Sequence, residues 1–274
     1  MDGYGYARRV AVEGRGTDPV HGRRIPRQQR AAGPALLSLL LLLVAAPLAA
    51  QEFDLDPTIL QEEFDRLTAI AGDAIFASPV DAPGRTGLLS FEISVAGTGV
   101  PVDEDSAYWA AAGAPDILIG GRLPIGRVVV SKGIGLGSVS LSYGKVFDSD
   151  IAVLGGSVDV PIWDGGLVRP TIALRGVYSQ LQGEEQVDLT TWGAQLLVGK
   201  KFGPLTPYGG IGYRRIDSEA HIETGFEPVN LESQIDGTAF VVGARFSLLL
   251  PVVAVEATQG EEEWVVAARV GFGF

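Results

Sequence analysis

The residue types best suited to acid–base chemistry cluster in one acidic stretch, IDSEAHIE, at residues 216–223. His221 is the only histidine beyond the first fifty residues, and Asp217, Glu219 and Glu223 lie close to it in sequence. A histidine beside a carboxylate can act as a general base, and the same side chains can hold a metal ion. A lone histidine in an acidic segment is more often only solvated. The stretch therefore predicts no catalytic residue, no metal site and no cofactor.

The formal charge of the chain bears on its partners. Without the seven arginines and three acidic residues of the first fifty positions, 14 positive and 30 negative groups remain, a net charge of −16. Affinity for nucleic acid comes from neutralising phosphates, so this charge excludes a nucleic-acid partner. The glycine-rich runs GIGLG and GGIG lie within strand-like segments and not before a helix, so they are not phosphate-binding loops.

A second set of charged residues, of both signs, lies on one face of the strand-like segments. If the strands close into a barrel, these side chains point into the lumen, where buried charges need partners. One hypothesis is a selectivity ring that lines a path. We favour a packed, neutralised core, because side chains just fill the interior of a barrel of about eight strands. The predicted lumen cluster is Glu92, Asp159, Arg169, Arg175, Arg245, Glu256 and Arg269.

The elements that must position these charges are strands. From Leu88 onward, apolar and polar residues alternate with period two, interrupted by Gly, Pro and Asp clusters. Phe240 and Val242, for example, share one face, against Gly243 and Arg245 on the other. About ten strands (8 to 12) are expected: 88–96, 127–134, 137–147, 150–162, 167–179, 187–202, 206–217, 238–248, 252–258 and 263–274.

Glycines recur on the polar face of these strands. They weaken a strand, but in a small barrel they make room for bulky groups opposite. They are Gly144, Gly155, Gly193, Gly199, Gly243 and Gly271.

The connections alternate between short and long, which separates two ends of the molecule. Short turns follow the second, sixth and eighth strands, whereas longer, more acidic loops span 97–126, 181–186, 218–237 and 259–262. Outer-membrane barrels have short periplasmic turns and long extracellular loops. The pattern predicts an all-β, antiparallel up-and-down transmembrane β-barrel with both termini at the short-turn end. A secreted soluble β domain is the alternative.

Aromatic residues on the apolar face are predicted to gather at the outer rim. Such rings prefer the headgroup level of a bilayer, where they form girdles. The predicted aromatic girdle is Phe147, Tyr178, Trp192, Phe240 and Trp264, with Trp163, Phe202, Phe272 and Phe274 at the opposite rim.

The front of the chain predicts export. Seven arginines precede an apolar run at 35–46, and small residues follow at 49–50, which is the order of a secretory signal peptide. Residues 1–50 are therefore expected to be a cleaved signal peptide. Residues 51–86 are expected to form an N-terminal periplasmic helix, over 52–76, and a linker. We favour a helix that covers one end of the barrel, with a plug in the barrel mouth as the alternative, because amphipathicity demands only some apolar partner. Residues 87–274 are expected to form the barrel.

The PYGGIGY segment at 207–213 and the terminal VGFGF, together with the signal and the alternating strands, resemble the small bacterial outer-membrane β-barrels of the OmpA and OmpW kind. The resemblance implies a Gram-negative-type cell envelope and an outer-membrane location. It implies Phe272 and Phe274 as the signal for the barrel-assembly machinery, and outer-membrane lipid as the other partner. Envelope structure or surface interaction is the expected role. A porin-like narrow channel, or a conduit for hydrophobic solutes, is the alternative, and a membrane-embedded hydrolase is less favoured. The oligomeric state stays open.

Overall fold

The computed structural model describes residues 55–84, 86–113, 117–147, 149, 151–166, 168–184, 186–223, 227–248, 250–261 and 263–273. The predicted signal peptide and Phe274 of the predicted assembly signal lie outside the described residues.

Ten antiparallel strands form a closed up-and-down barrel, which confirms the predicted fold class. Each strand pairs with its neighbours in sequence, and β1 closes the ring by pairing with β10, from Glu92 opposite Gly273 to Gly99 opposite Val266. Closure pairs both edges of the strands around the ring, whereas the part of β8 from Val229 to Phe240 extends beyond β9 and pairs only with β7. The strands are β1 (Phe91–Pro101), β2 (Arg122–Gly133), β3 (Ser138–Val146), β4 (Ala152–Trp163), β5 (Thr171–Gln182), β6 (Val187–Gly199), β7 (Leu205–Ile222), β8 (Val229–Ser247), β9 (Pro251–Gln259) and β10 (Trp264–Gly273).

The hairpin of β7 and β8 is much longer than the sequence pattern predicted. The two strands pair continuously from Leu205 opposite Phe246 to Ile222 opposite Val229. The predicted loop at 218–237 is therefore wrong, because most of it is hairpin. The IDSEAHIE stretch accordingly lies in β7, where His221 is exposed on the outer face.

Two helices accompany the strands in the described part of the chain. Helix α1 (Gln61–Ile75) begins after Leu60, whose N–H donates to the Glu63 carboxylate at 3.1 Å, and two acidic residues in its first turn suit the positive end of the helix dipole. Helix α2 (Ala107–Ala111) lies in the long loop between β1 and β2 and was not predicted. No helix among the described residues has the length and apolar composition needed to cross a bilayer.

The outer surface of the barrel carries an apolar belt. On β8 the outward side chains from Phe240 to Phe246 are apolar, and seven strand residues at a tilt of about 40° span about 18 Å along the axis. The same belt crosses the other strands through exposed aliphatic residues: Leu141, Leu154, Leu174, Leu196, Val255 and Val270.

Candidate functional site

The lumen is occupied by the N-terminal segment at residues 55–84, which we call the plug. The plug starts at the long-loop end, where the Leu55 N–H donates to Gln186 Oε1 at 3.3 Å. Further along, Ile75 lies in one apolar cluster with inward-facing wall residues, among them Ile125 and Ile216. The plug ends near the short-turn end, where Pro83 packs against Gly199. Residues 55–84 therefore run through the barrel from one end to the other, and do not cover one end as we had favoured.

Inward-facing glycines provide the space for the plug. A methyl group added at Gly155 would overlap Ala77, and one at Gly193 would come 3.1 Å from the Phe76 ring. The predicted role of these glycines was to make room for bulky groups. Here the group that they admit is the plug itself.

Three buried arginines on the barrel wall hydrogen-bond the main chain of the plug. Arg127 donates to the carbonyl oxygens of Phe76, at 3.1 Å, and of Ala74. Arg175 donates to Asp81 O at 2.6 Å, and Arg269 donates to Pro79 O at 2.5 Å. All three side chains are almost completely buried. Because α1 has no basic residue in its last turn, Arg127 supplies the cation that suits a helix C-terminus.

Asp81 joins the plug to the wall through its carboxylate. Arg245 and Arg269 both contact this carboxylate, and Arg269 Nη1 lies 3.6 Å from Asp81 Oδ2. The residue before it, Val80, has a φ of 50°, which β-branched residues rarely adopt. The hydrogen bonds on both sides of Val80, at Pro79 O and Asp81 O, hold this conformation in place.

The wall carboxylates complete an ionic network below α1. Glu92 accepts from Arg245 at 2.9 Å and from Arg269. Asp159 lies 2.7 Å from Arg175 Nε. Glu256 accepts from the Tyr208 hydroxyl at 2.7 Å and lies 3.5 Å from Arg175 Nη1. A buried charge is tolerated only with partners of this kind. Here the four carboxylates at positions 81, 92, 159 and 256 contact the three arginines at 175, 245 and 269.

The structure brings together six of the seven predicted lumen residues: Glu92, Asp159, Arg175, Arg245, Glu256 and Arg269. Arg169 differs from the prediction. It is exposed in the turn between β4 and β5, because the strand begins only after Pro170, which has no N–H for the strand ladder.

Sequence reasoning missed three residues of the lumen that make these contacts. Arg127 could have been found, because it lies on the inward parity of the second predicted strand. Asp81 lies in the predicted linker, where no periodicity indicates which way a side chain points. Tyr208 belongs to the PYGGIGY segment at 207–213, which was used only for its resemblance to other barrels and not to predict a side chain in the lumen.

A separate ionic contact lies near the long-loop end. Arg214 of β7 pairs with Asp73 of α1, and its Nη2 lies 3.2 Å from Glu261 Oε1. The Glu261 N–H donates to Asp73 Oδ2 at 3.1 Å. The last turns of α1 are thereby joined to both β7 and the loop between β9 and β10.

Apart from the contact at Arg214 and scattered hydroxyl groups, the polar part of the inner face lies toward the short-turn end. Toward the long loops it is apolar, with buried Leu123, Leu189 and Val265 facing α1. A cavity of about 570 Å³ opens at the short-turn end, and Asp81, Glu92 and Arg245 are among its lining residues.

The five predicted girdle residues all lie on the outer face. They are between 39% and 54% exposed: Phe147, Tyr178, Trp192, Phe240 and Trp264. Trp192 pairs across the strands with Tyr178, and its ring centroid lies 5.5 Å from that of Tyr213. Beyond these rings the outward residues of β7 and β8 become polar, as at Arg215 and Asp236. The predicted assembly residue Phe272 is also on the outer face of β10, half-buried.

His221 is not brought into a reactive arrangement by the described contacts. It faces outward from β7, across from Asn230 of β8. Within the described ranges, no group of three or more His, Cys, Asp or Glu side chains is placed to hold a metal ion.

Comparisons with known proteins give a family without an assigned activity. The model of a family of unknown function, DUF6588, matches residues 138–274. No curated protein matches the chain.

Three solved structures that the chain resembles are little related to it in sequence. The N-terminal β-barrel domain of OprF from Pseudomonas aeruginosa is 14% identical, with 69% of this chain and 100% of that chain covered and a TM-score of 0.28. The translocator domain of the autotransporter NalP from Neisseria meningitidis is 14% identical, covering 78% and 95%, with a TM-score of 0.40. Ail, the attachment invasion locus protein of Yersinia pestis, is 11% identical, covering 68% and 98%, with a TM-score of 0.30. The closed barrel is established by the strand pairing and not by these likenesses.

Proposed function

The chain belongs to DUF6588, a family of unknown function, and we propose that it is an outer-membrane β-barrel that its own plug keeps closed, serving envelope structure or surface interaction. The plug is residues 55–84, which run through the lumen of the barrel from the long-loop end to the short-turn end.

The apolar belt supports the membrane location. An apolar band of about 25 Å with aromatic residues at its edges is what a bilayer requires of a barrel surface. The described outward residues on β6, from Trp192 to Val198, fit this requirement, and so do those on β8 from Phe240 to Phe246. Exposing such a surface to water would be costly, because the effect of apolar burial scales with area.

The observation that carries the proposal of a closed lumen is the direct bonding of Arg127, Arg175 and Arg269 to main-chain carbonyls of the plug. These contacts come from three different strands, so the plug is held from several sides of the wall. An ion moving along the axis would have to displace them. We therefore propose that the resting protein conducts no ions.

The long hairpin supports a role at the surface. Its outward face above the aromatic rings is polar and internally bonded: Arg215 Nε donates to Asp217 Oδ1 at 2.9 Å, and the Tyr213 hydroxyl donates to Asp236 Oδ1 at 2.5 Å. A paired hairpin with these contacts presents an ordered surface beyond the belt. The proposal is that this surface contacts a partner outside the membrane, and that the protein is not an enzyme.

A narrow channel is the second candidate, because the 570 Å³ cavity reaches from the short-turn end as far as Arg245 and Asp81. Such a channel would conduct only after the plug had moved. The two candidates therefore differ in the conductance of the intact protein.

The test is single-channel recording in planar bilayers on refolded protein, with folding checked by heat-modifiable gel mobility. The wild-type barrel is expected to give no discrete steps in the current. Gly155→Leu places a large side chain where Ala77 lies, and is expected to displace the plug and give steps. Gly176→Leu is the matched control, because Gly176 faces outward into open space. Steps from the folded wild type, of the size seen with Gly155→Leu, would contradict the closed lumen.

A further inference from the structure

An apolar cavity of about 80 Å³ lies between α1 and the barrel wall in the long-loop half of the lumen. On the helix, Phe64, Thr68, Ala71 and Ile75 line it at intervals of three to four residues, so they share one stripe of α1. Ala71, in the middle of this stripe, has the smallest side chain of the four.

The wall side of the cavity comes from strands β2 to β7. Trp109 of α2 also contributes to the lining, and four of these strands contribute one residue each: Ile125, Val146, Leu181 and Leu189. Thr68, Glu184 and Ser218 are polar residues of the lining, but its accessible surface is almost wholly apolar, and the hydroxyl of Thr68 is itself buried. A cavity with so little polar surface does not hold water well, and is instead suited to an apolar guest.

The cavity opens toward the long-loop end and is separated from the other end. Leu67, Ala71, Leu181 and Val187 line it and are only partly buried, and Glu184, in the loop between β5 and β6, stands at its edge. Between this cavity and the polar cavity at the short-turn end lie the plug residues that the arginines bond, Ala74 to Asp81. A molecule that entered from the long-loop end would therefore be retained and not passed through.

We propose that this cavity is a binding site for a small apolar molecule of the size of a single aromatic ring. The volume is room for about six water-sized spheres, about half of the roughly 150 Å³ that is known to hold benzene. The cavity is open on one side, so a ring does not have to fit wholly within this volume. The class of ligand follows from the lining: an uncharged hydrocarbon or halogenated hydrocarbon gains from apolar contact, whereas a polar molecule would lose its hydrogen bonds to water. The site lies in the plug itself, so the inference goes beyond the role of the plug in closing the barrel.

The experiment is ¹⁹F NMR with fluorobenzene and refolded barrel in lipid nanodiscs, with empty nanodiscs as the baseline for partition into lipid. Wild-type barrel is expected to broaden the fluorobenzene signal in a saturable way, and excess toluene is expected to restore it. Ala71→Leu fills the cavity and is expected to weaken binding at least about tenfold, which corresponds to about 1.4 kcal/mol. Ala110→Leu is the matched control, since Ala110 is exposed on α2 and does not line the cavity. It is expected to bind within about twofold of the wild type.

Folding of each variant is checked by heat-modifiable mobility, so a folding failure is separated from a binding failure. No saturable broadening with folded wild type, or equal broadening with folded Ala71→Leu, would overturn the proposed site. Neither result would bear on the closed lumen, which the conductance recordings test separately.

Discussion

Arg127 makes two hydrogen bonds that hold the C-terminal end of α1 in the barrel, so replacing it measures how firmly the plug is held. The residue is buried, and its guanidinium donates to Phe76 O and to Ala74 O. No carboxylate in the described part of the chain forms a salt bridge with it. Arg127→Ala therefore removes two bonds to the plug without leaving a buried carboxylate unpaired.

The magnitude follows from those two bonds. A hydrogen bond to a charged group contributes about 1.5 kcal/mol at the low end of its range. The loss of two such bonds should therefore lower the free energy needed to open the plug by about 3 kcal/mol. The equilibrium population of the open state should then rise about 100-fold. Arg127→Lys keeps the charge but loses the paired donor geometry, and should give a rise of about tenfold.

The assay is the rate at which a maleimide labels a single cysteine in the plug. The chain has no cysteine, so Thr68→Cys introduces the only thiol. Thr68 is buried and its hydroxyl has no hydrogen-bond partner, which makes the replacement a mild one. When opening and closing are fast, the labelling rate follows the open population.

Arg122→Ala is the matched control, since Arg122 lies on the same strand but is exposed and donates only to Gly99 O at 3.3 Å. Labelling of Thr68→Cys should be unchanged in this background. Equal labelling rates with Arg127→Ala and Arg122→Ala would refute the reasoning, because they would mean that the two buried bonds do not hold the plug.

Three further predictions concern the belt, the ionic network and the orientation of the chain. Leu196→Arg, in the middle of the belt, should lower the free energy of unfolding in lipid vesicles by about 2–4 kcal/mol, whereas His221→Arg, beyond the belt, should change it by less than about 1 kcal/mol. Similar losses for both would argue against a bilayer around β6. Asp159→Asn removes a carboxylate 2.7 Å from buried Arg175. In a urea titration in lipid vesicles it should lower the free energy of unfolding by about 3 kcal/mol, whereas the exposed Asp188→Asn should leave it almost unchanged. A loss no larger than that of Asp188→Asn would mean that Arg175 does not need this partner. On intact cells, an impermeant maleimide should label Thr58→Cys at the long-loop end but not Lys201→Cys at the short-turn end, until the outer membrane is permeabilised. The opposite pattern of labelling would reverse the proposed orientation.

The alternation of residues in the sequence was enough to predict the barrel, because side chains along a strand point alternately to two faces with different surroundings. The same parity placed Arg175, Arg245 and Arg269 in the lumen before the structure was known. It failed at Arg169, where the alternation was extended across Pro170 into a turn. The exact bounds of a strand depend on where main-chain pairing stops, and side-chain parity does not report this.

The hairpin of β7 and β8 shows why its length was underestimated. Below Tyr213 the outward residues are apolar and the inward residues are small or polar, as at Ile211 and Gly212. Above Tyr213 the sense reverses: Asp217 faces outward and Ile216 faces inward. The alternation continues, but its two faces exchange character, because the outside is no longer the belt and the inside now contacts α1. A prediction that expects the apolar residues on the same side along the whole strand ends the strand at this point, although the main-chain pairing continues.

The sequence by itself determined that an amphipathic helix would lie within 52–76, that the strands would have one apolar face, and that the charges would lie on the other. The structure begins the helix only at Gln61. Only the tertiary structure decided where the helix lies. An apolar stripe requires burial but does not specify its partner. In the folded chain the partner is the apolar half of the lumen, and the glycines at 155, 193 and 199 leave the space for the segment that follows. That match depends on residues from ten strands meeting around one axis, which no local stretch of sequence contains.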